Sequence, residues 1–302
     1  MDTTRAIYLS HDLAFPMRYV LDKSACASGC QKCVEACGYG AIDLNMEPKT
    51  VEMNVGSIVF ATGWDPYDAG KIENINFDSI PNVITNVMFE RLAAPNGPTQ
   101  GKIVRPSDGK EVKKIAFAQC AGSRDENNLE YCSAICCMAS LKQATYLRDT
   151  AEDSTAEIFY IDLRAPGKYE DFLRRLEEDE NVTMTKGKVA KIEADPATGD
   201  PIVTAEDILG GGKISRQFDL VVLASGMEAA AKNSNIPANI VYEKNGFMDG
   251  DQMPAGMYAA GVSRNPGDVS SSVQDATASA LKSMQTINGA KVPEAVEMAG
   301  GN

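Results

Sequence analysis

Eight cysteines carry the chemistry open to this 302-residue chain, and they fall into two tight groups. Cys26, Cys30, Cys33 and Cys37 form the first, and Cys120, Cys132, Cys136 and Cys137 the second. Thiols grouped in this way pair as disulfides, exchange electrons as a dithiol, or bind metal. A disulfide framework belongs to short secreted chains, and this one is long. Adjacent Cys136 and Cys137 would close a strained ring and lack the Cys-x-x-Cys spacing of a redox pair. Metal or metal–sulfide ligation is the reading that remains.

In the first group the run Cys30-x2-Cys33-x3-Cys37 lets a tight loop wrap thiolates around a cubane and send the last off a helix, as in bacterial ferredoxins. The spacing from Cys26 to Cys30 is one residue longer than in those proteins, and Gly38 stands where they have proline. A structural zinc site prefers two separated Cys-x2-Cys knuckles, so four cysteines packed this closely favour a [4Fe–4S] cluster. In two-cluster ferredoxins the last cysteine serves the other cluster, so Cys37 joins either the first three or a different site.

Composition excludes other classes. The net charge of −13 repels nucleic acid and anionic lipid. No apolar run approaches the roughly 20 residues of a membrane span, and the start, Met1 to Arg5, opens no signal peptide. The expectation is a cytoplasmic protein. His11 is the single histidine and stands beside a proline turn, with no nucleophile motif, so a Ser-His-Asp or Cys-His hydrolase is not expected.

The elements that must position the thiols follow an αβ alternation. The apolar run 114–119 reads as a strand that enters the turn Cys120-Ala-Gly-Ser-Arg-Asp125, and a helix is expected over 132–149. That is where a dinucleotide fold cradles phosphate, and here thiols occupy the turn and first helical turns. Strand 156–162 and helix 167–179 follow, then short strands near 182–193, 201–206 and 219–224, which argues for a parallel sheet covered by helices. Asp162 ends its strand where a dinucleotide fold holds a ribose.

Two segments look equivalent. Ile58 to Gly63 and Leu220 to Gly226 each run from an apolar, buried-type strand through small and hydroxyl residues to a glycine. Thr62 and Gly63 would let backbone pass close to a cofactor. The strand 257–261 ends at Gly261, and Asp268 is a fair N-cap for a helix with a small Ala/Ser face. The N–H groups of residues 269–271, Val269 first, would form a partial positive pole suited to an electron-rich atom of a reduced flavin. Residues 93–113 are dense in proline and glycine and read as a linker.

With the Ala-Thr-Gly strand end, the Cys120 to Met138 block and the Tyr258-Ala-Ala-Gly261 to Asp268-Val269 segment in hand, the chain resembles the A subunit of heterodisulfide reductase. Within that family it is most similar to the A subunit of the quinone-interacting membrane-bound oxidoreductase (Qmo) complex of sulfate reducers. His11 to Asp22, Asn82 to Thr85 and Arg105 to Lys110 point that way. The resemblance implies a thioredoxin-reductase-like flavoprotein fold with two dinucleotide-binding domains and a ferredoxin-like insert. It implies that Cys120, Cys132, Cys136 and Cys137 ligate a [4Fe–4S] cluster where relatives of the fold bind a pyridine nucleotide. Such proteins begin with a strand and a Gly-x-Gly-x-x-Gly turn that holds the FAD pyrophosphate. The sequence given has no such turn and reads as N-terminally truncated, starting inside the insert.

The expected organisation is a partial ferredoxin-like segment at 1–46, parts of an FAD-type domain at 47–92 and 227–287, and the linker at 93–113. A nucleotide-type α/β domain with the second cluster covers 114–226, and a tail covers 288–302. The function implied is electron transfer between one or two [4Fe–4S] clusters and, in the full-length family, FAD. Partners would be other subunits of a membrane-associated redox complex, with electrons passing from the quinol pool toward adenylylsulfate reductase and the protein peripheral to the inner membrane through those subunits. The alternatives are an electron-bifurcating heterodisulfide reductase complex and, from another class, a zinc-stabilised structural or assembly subunit.

Overall fold

The computed structural model describes residues 5–9, 17–47, 49–234 and 236–289. His11 and residues 290–302 of the expected tail lie outside them. The chain divides into two compact units, Met1–Asn54 and Val55–Asn302.

In the first unit, β1 (Ile7–Tyr8) pairs antiparallel with β2 (Val20–Leu21), and one short helix, α1 (Lys32–Ala36), carries Cys33. None of its described residues is fully buried. A segment this small lacks the apolar core to hold itself and ordinarily depends on cross-links or bound metal.

The second unit opens with β3 (Ile58–Phe60), β4 (Trp64–Pro66) and β5 (Val83–Thr85), followed by α2 (Asn86–Ala93). Next come β6 (Lys114–Ala121), α3 (Cys136–Thr150), β7 (Thr155–Tyr160), α4 (Tyr169–Glu177) and β8 (Val182–Lys186). An antiparallel meander of β9 (Val189–Ala194), β10 (Pro201–Asp207) and β11 (Gly212–Gln217) precedes β12 (Leu220–Ser225). The unit ends with β13 (Met227–Ala229), β14 (Met257–Ala259) and α5 (Val269–Ile287).

The organising layer is a five-stranded sheet in the order β5-β12-β6-β7-β8, parallel throughout. A parallel sheet is covered on both faces, so its strands are apolar without alternation. Ile115 to Ala118 and Leu220 to Ala224 are accordingly all buried. One face packs Ile115, Phe117, Leu220 and Val222 against Phe89 of α2 and Leu141, Ala144 and Leu147 of α3. The other sets Ala116, Ala118, Val221 and Leu223 against Ile192, Val203 and Ala205 of the meander. Phe89 meets Phe117 edge to face, with ring centroids 6.0 Å apart. Beside this sheet, β3 pairs parallel with β14 and β4 pairs antiparallel with β13.

Several sequence boundaries move. Residues 83–85, grouped by the sequence reading with the flavin-type segment 47–92, belong to the five-stranded sheet, because Val83, Ile84 and Thr85 pair with Val221, Val222 and Leu223. The 93–113 stretch is more than a linker: Ile103 and Val112 are buried in the core beside Phe89 and Ile115. Arg105 fixes it with an ion pair to Asp200 at 2.5 Å, while Ser107 N–H donates to Asn82 Oδ1 at 3.1 Å. The first unit runs to Asn54 rather than residue 46. The strand at Ile58 is not a core strand, since Ile58 and Val59 are 38% and 41% exposed. The strand β11 has no counterpart in the sequence reading.

Phe117 joins two helices to the centre of the sheet. Phe117→Ala is expected to destabilise the fold by about 3–5 kcal/mol, read as a lower denaturant midpoint at unchanged slope; a loss under about 1 kcal/mol would show that the site collapses around the cavity.

Candidate metal centre and cofactor cavity

The second cysteine group is assembled by the C-terminal end of β6. Cys120, next to last in the strand, has φ +56, and Gly122 follows it out at φ +79. A Cβ on Gly122 would come within 2.6 Å of the Tyr67 ring, so backbone lies directly against that side chain. Arg124 and Ala134 are also left-handed, at φ +55 and +64. Between them the loop closes on itself: Leu129 N–H donates to Gly122 O at 3.0 Å and Arg124 N–H to Tyr131 O at 3.1 Å. Buried Ser133 ties it down, its hydroxyl meeting Ser123 Oγ at 3.1 Å and accepting from Met227 N–H at 2.9 Å. The Tyr131 hydroxyl donates to Met227 O at 2.8 Å. The helix α3 then starts at Cys136. Cys132 therefore sits in the turn before the helix and not on a shared helical face with Cys136, because the left-handed residue at Ala134 interrupts the helix.

All four thiols are free, with Cys120 and Cys136 each 7% exposed. Burial pushes the Cys136 thiol up to about 12, and the charges of Cys120, Cys132 and Cys137 push in the same direction. Cys120 and Cys137 are raised chiefly by burial as well. Cys120, Cys136 and Cys137 thus each feel charge from other members of the group. Holding them as thiolates there requires positive charge, which iron would supply if bound. Among the described residues no three His, Cys, Asp or Glu side chains converge on a point where one ion would sit. A cubane carries its irons at separate corners and takes one thiolate at each, so a strand end, a turn and a helix start are a fitting set of donors.

Arginines flank the thiols. The Asp162 carboxylate, just beyond β7, bridges Arg124 and Arg164, the latter through Nε at 3.2 Å. Asp162 therefore holds side chains at the position where the sequence reading expected a ribose contact. Cys137 Sγ lies 3.7 Å from Asp162 O.

In the first unit Cys26 caps a single turn of 3-10 helix, Cys33 lies within α1 and Cys37 directly follows it. Ala41 N–H donates to Cys37 Sγ at 3.4 Å. That contact, with further N–H groups from Tyr39 and Gly40, lowers the Cys37 thiol. Cys26 and Cys30 line a cavity of about 230 Å³ together with Leu21 and Leu44. Half-buried thiols beside converging backbone N–H groups fit ligation, and none of the unit's described residues is buried in a core that would order it otherwise.

The flavin-type residues surround a mostly apolar cavity of about 1410 Å³ within the second unit. Gly63, Gly261, Asp268 and Val269 line it; Thr62 does not. Gly63 turns at φ +74 with nothing within 4 Å of an added Cβ, and Gly261 turns at φ +64 with its N–H held by Asp275 at 2.7 Å. Asp268 caps α5 through Ser271 N–H at 2.8 Å, so of residues 269–271 only the first two keep free N–H groups. The opposite wall comes from α3 and the turn before it: Ala134, Ile135, Met138, Ala139 and Lys142. Sequence reasoning missed this wall, although the spacing of Ile135, Met138, Ala139 and Lys142 marks one helical face. Lys142 pairs with Glu90 at 3.1 Å. The residues present fit a flavin ring system; the described residues show no cradle for its pyrophosphate.

In apoprotein the raised Cys136 thiol stays protonated at pH 8, whereas the lowered Cys37 thiol ionises more readily. Pulsed alkylation with mass spectrometry is expected to label Cys37 well before Cys136; equal rates would contradict the burial argument.

No family model matches the sequence. Individual proteins do. The chain is 34% identical over 291 residues to the A subunit of the H(2):CoB-CoM heterodisulfide,ferredoxin reductase of Methanothermobacter thermautotrophicus, covering 92% of this chain and 44% of that protein. It is 36% identical over 292 residues to the iron-sulfur A subunit of the CoB--CoM heterodisulfide reductase of Methanocaldococcus jannaschii, covering 93% and 44%. It thus spans less than half the length of these relatives. Among solved structures, thioredoxin reductase of Lactococcus lactis is similar with a TM-score of 0.50 at 14% identity, over 77% of this chain and 66% of that one, a likeness of fold alone. The fold is that of the two-dinucleotide-domain flavoprotein oxidoreductases, and over the residues it shares with these relatives the chain belongs to the family of heterodisulfide reductase A subunits.

Proposed function

We propose that this chain is an oxidoreductase component that moves single electrons between iron–sulfur clusters and a two-electron flavin. One [4Fe–4S] cluster would be held by Cys120, Cys132, Cys136 and Cys137, and a second by Cys26, Cys30, Cys33 and Cys37. When bound, the clusters supply one-electron steps that divide the flavin's electron pair. The observation that carries the reading is the 1410 Å³ cavity: one wall holds the flavin-type turns at Gly63 and Gly261, and the other holds Ala134 and Ile135, which lie between Cys132 and Cys136. A ring system seated there would stand beside the thiol site. The pyrophosphate cradle would come from outside the described residues, which line part of a flavin site.

The finer assignment is to a Qmo-type complex, taking electrons from the quinol pool through partner subunits toward adenylylsulfate reductase, with the protein peripheral to the inner membrane. It rests on the Asn82 to Thr85, Arg105 to Lys110 and His11 to Asp22 segments, of which residues 11–16 lie outside the described residues. The first two touch each other, through Asn82 Oδ1 and Ser107 N–H, at the edge of the sheet. They therefore mark the edge strand β5 and the loop tied to it, and neither segment contains a cysteine. A second reading, an electron-bifurcating heterodisulfide reductase complex, is favoured by the names of the relatives. No helix among the described residues is long and apolar enough to cross a membrane.

Iron and acid-labile sulfide on anaerobically purified protein are expected to match two clusters per chain, and Cys132→Ala to lower iron by about four atoms. Zinc near two per chain without iron would establish the structural alternative instead, and unchanged iron in Cys132→Ala would remove that residue from the ligands.

A further inference from the structure

The sequence holds one tryptophan, Trp64, and it lines the large cavity directly after the left-handed turn at Gly63. Its backbone is fixed on both sides. Trp64 pairs with Ala229 across β4 and β13, Ala230 N–H donates to Gly63 O at 3.2 Å, and Tyr67 N–H donates to Gly226 O at 2.7 Å. The side chain has no comparable anchor. It is half-buried and belongs to none of the three apolar clusters of the core. Among the described residues its ring meets no other aromatic ring and no cation, and its indole N–H has no hydrogen-bond partner.

Tryptophan ordinarily contributes by burying a large ring and pairing its one N–H. Trp64 does neither within the described protein, so packing does not account for its place. What surrounds it in the cavity is small: Ala61 and Ala260, which the pairing of β3 with β14 brings together, and Gly63 and Gly261. The other aromatic residues of the lining, Tyr169 and Phe172, belong to α4, and Phe172 is already packed against the core and covered by Arg175, whose guanidinium lies 5.2 Å from its ring centre. Trp64 is therefore the one aromatic surface beside the glycine turns.

We propose that Trp64 is the side chain that grips the flavin ring, its indole face against the planar ring system and its N–H donating to an acceptor atom at the ring's edge. The inference rests on the flavin reading above and names the residue that recognises the ring. A flat ring entering this apolar cavity gains contact with a second flat ring, and an acceptor at its edge needs a donor once water is excluded. The fixed backbone at residues 63–67 meets part of the cost of ordering the indole before a ligand arrives.

Lumiflavin carries the ring system without phosphate, so its binding needs no pyrophosphate cradle. Equilibrium dialysis of the full chain against lumiflavin measures retention, and lumiflavin emission reads contact with the indole, because an excited flavin takes an electron from an indole against it and returns that electron without emitting. Wild-type protein is expected to retain lumiflavin in a weakly emitting form. Trp64→Leu should weaken binding by about tenfold, the scale of one aromatic stacking contact, and emission from the bound fraction should rise. Trp64→Phe keeps an aromatic ring should the leucine variant fail to fold; it should bind between wild type and Trp64→Leu and also emit more strongly than wild type, since phenylalanine does not give up an electron to the excited flavin. Wild-type affinity or unchanged emission in Trp64→Phe would overturn the proposal and leave the flavin reading standing. No retention of lumiflavin by the wild-type chain would overturn the flavin reading, and this inference with it.

Discussion

A buried parallel strand that must end in a thiol is the constraint on which the rest of this structure depends. The strand β6 lies between β12 and β7, so its end cannot splay sideways, and its residues stay buried to Ala121. Cys120 is left-handed at an irregularity of the ladder, Ala121 still pairs with Ser225, and the chain then turns against Tyr67 at Gly122. Left-handed conformations at Cys120, Arg124 and Ala134 cost on the order of 1 kcal/mol each. The loop offsets them locally, with its own backbone hydrogen bonds and the three-way contact at Ser133. Strain so closely surrounded by compensating contacts preserves the placement of Cys120, Cys132, Cys136 and Cys137 before any ligand arrives.

Burial and charge compete at that placement. Excluding water favours the neutral thiol, most strongly at Cys136, yet ligation requires thiolate. The polypeptide itself offers positive potential at the first turn of α3, where Cys136 and Cys137 lie, and at Arg124 and Arg164, which share the Asp162 carboxylate; a metal, if bound, would add to it. Burial nevertheless wins for Cys136, so the protein alone does not hold the site ionised. The first unit presents the opposite balance, since its half-buried Cys37 is lowered by backbone N–H groups, while the unit lacks the buried side chains that order the second.

Much of the second unit was legible because its signals are local. Parallel core strands announce themselves as unbroken apolar runs, and 114–121, 155–160 and 220–225 are found where such runs lie. The thiol groups could be read from spacing. What escaped depends on contacts distant in sequence. Residues 83–85 join the sheet only through pairing with β12, more than a hundred residues on. Asp162 has the residue type of a ribose ligand, and nothing nearby in sequence shows that Arg124 will occupy its carboxylate. The proline- and glycine-rich stretch 93–113 reads as a linker because turn residues dominate it, while Ile103 and Val112, which anchor it in the core, are too isolated to form a pattern. Ala134 shortened the expected helix for a similar reason: alanine favours helix, and tertiary contacts at Ser133 override that preference.

The flavin-facing half changes most in its physical basis. From the sequence, the attraction for an electron-rich ring atom lay in the free N–H groups at the start of α5. Asp268 accepts one of those bonds and places a carboxylate at the same pole, held below the usual carboxylate range by that backbone N–H and by the Ser271 hydroxyl. A charged group at the helix start cancels much of the dipole's partial positive charge. Electrostatic attraction is therefore the weaker argument for a ligand there. Shape is the stronger one: Gly63 and Gly261 turn without side chains, Ser272 and Ala276 present a small face, and Met138 supplies an adaptable apolar wall across the cavity. Such walls would select a flat apolar ring more than the helix end would, and the wall of Ala134 and Ile135 is continuous with the turn that carries Cys132.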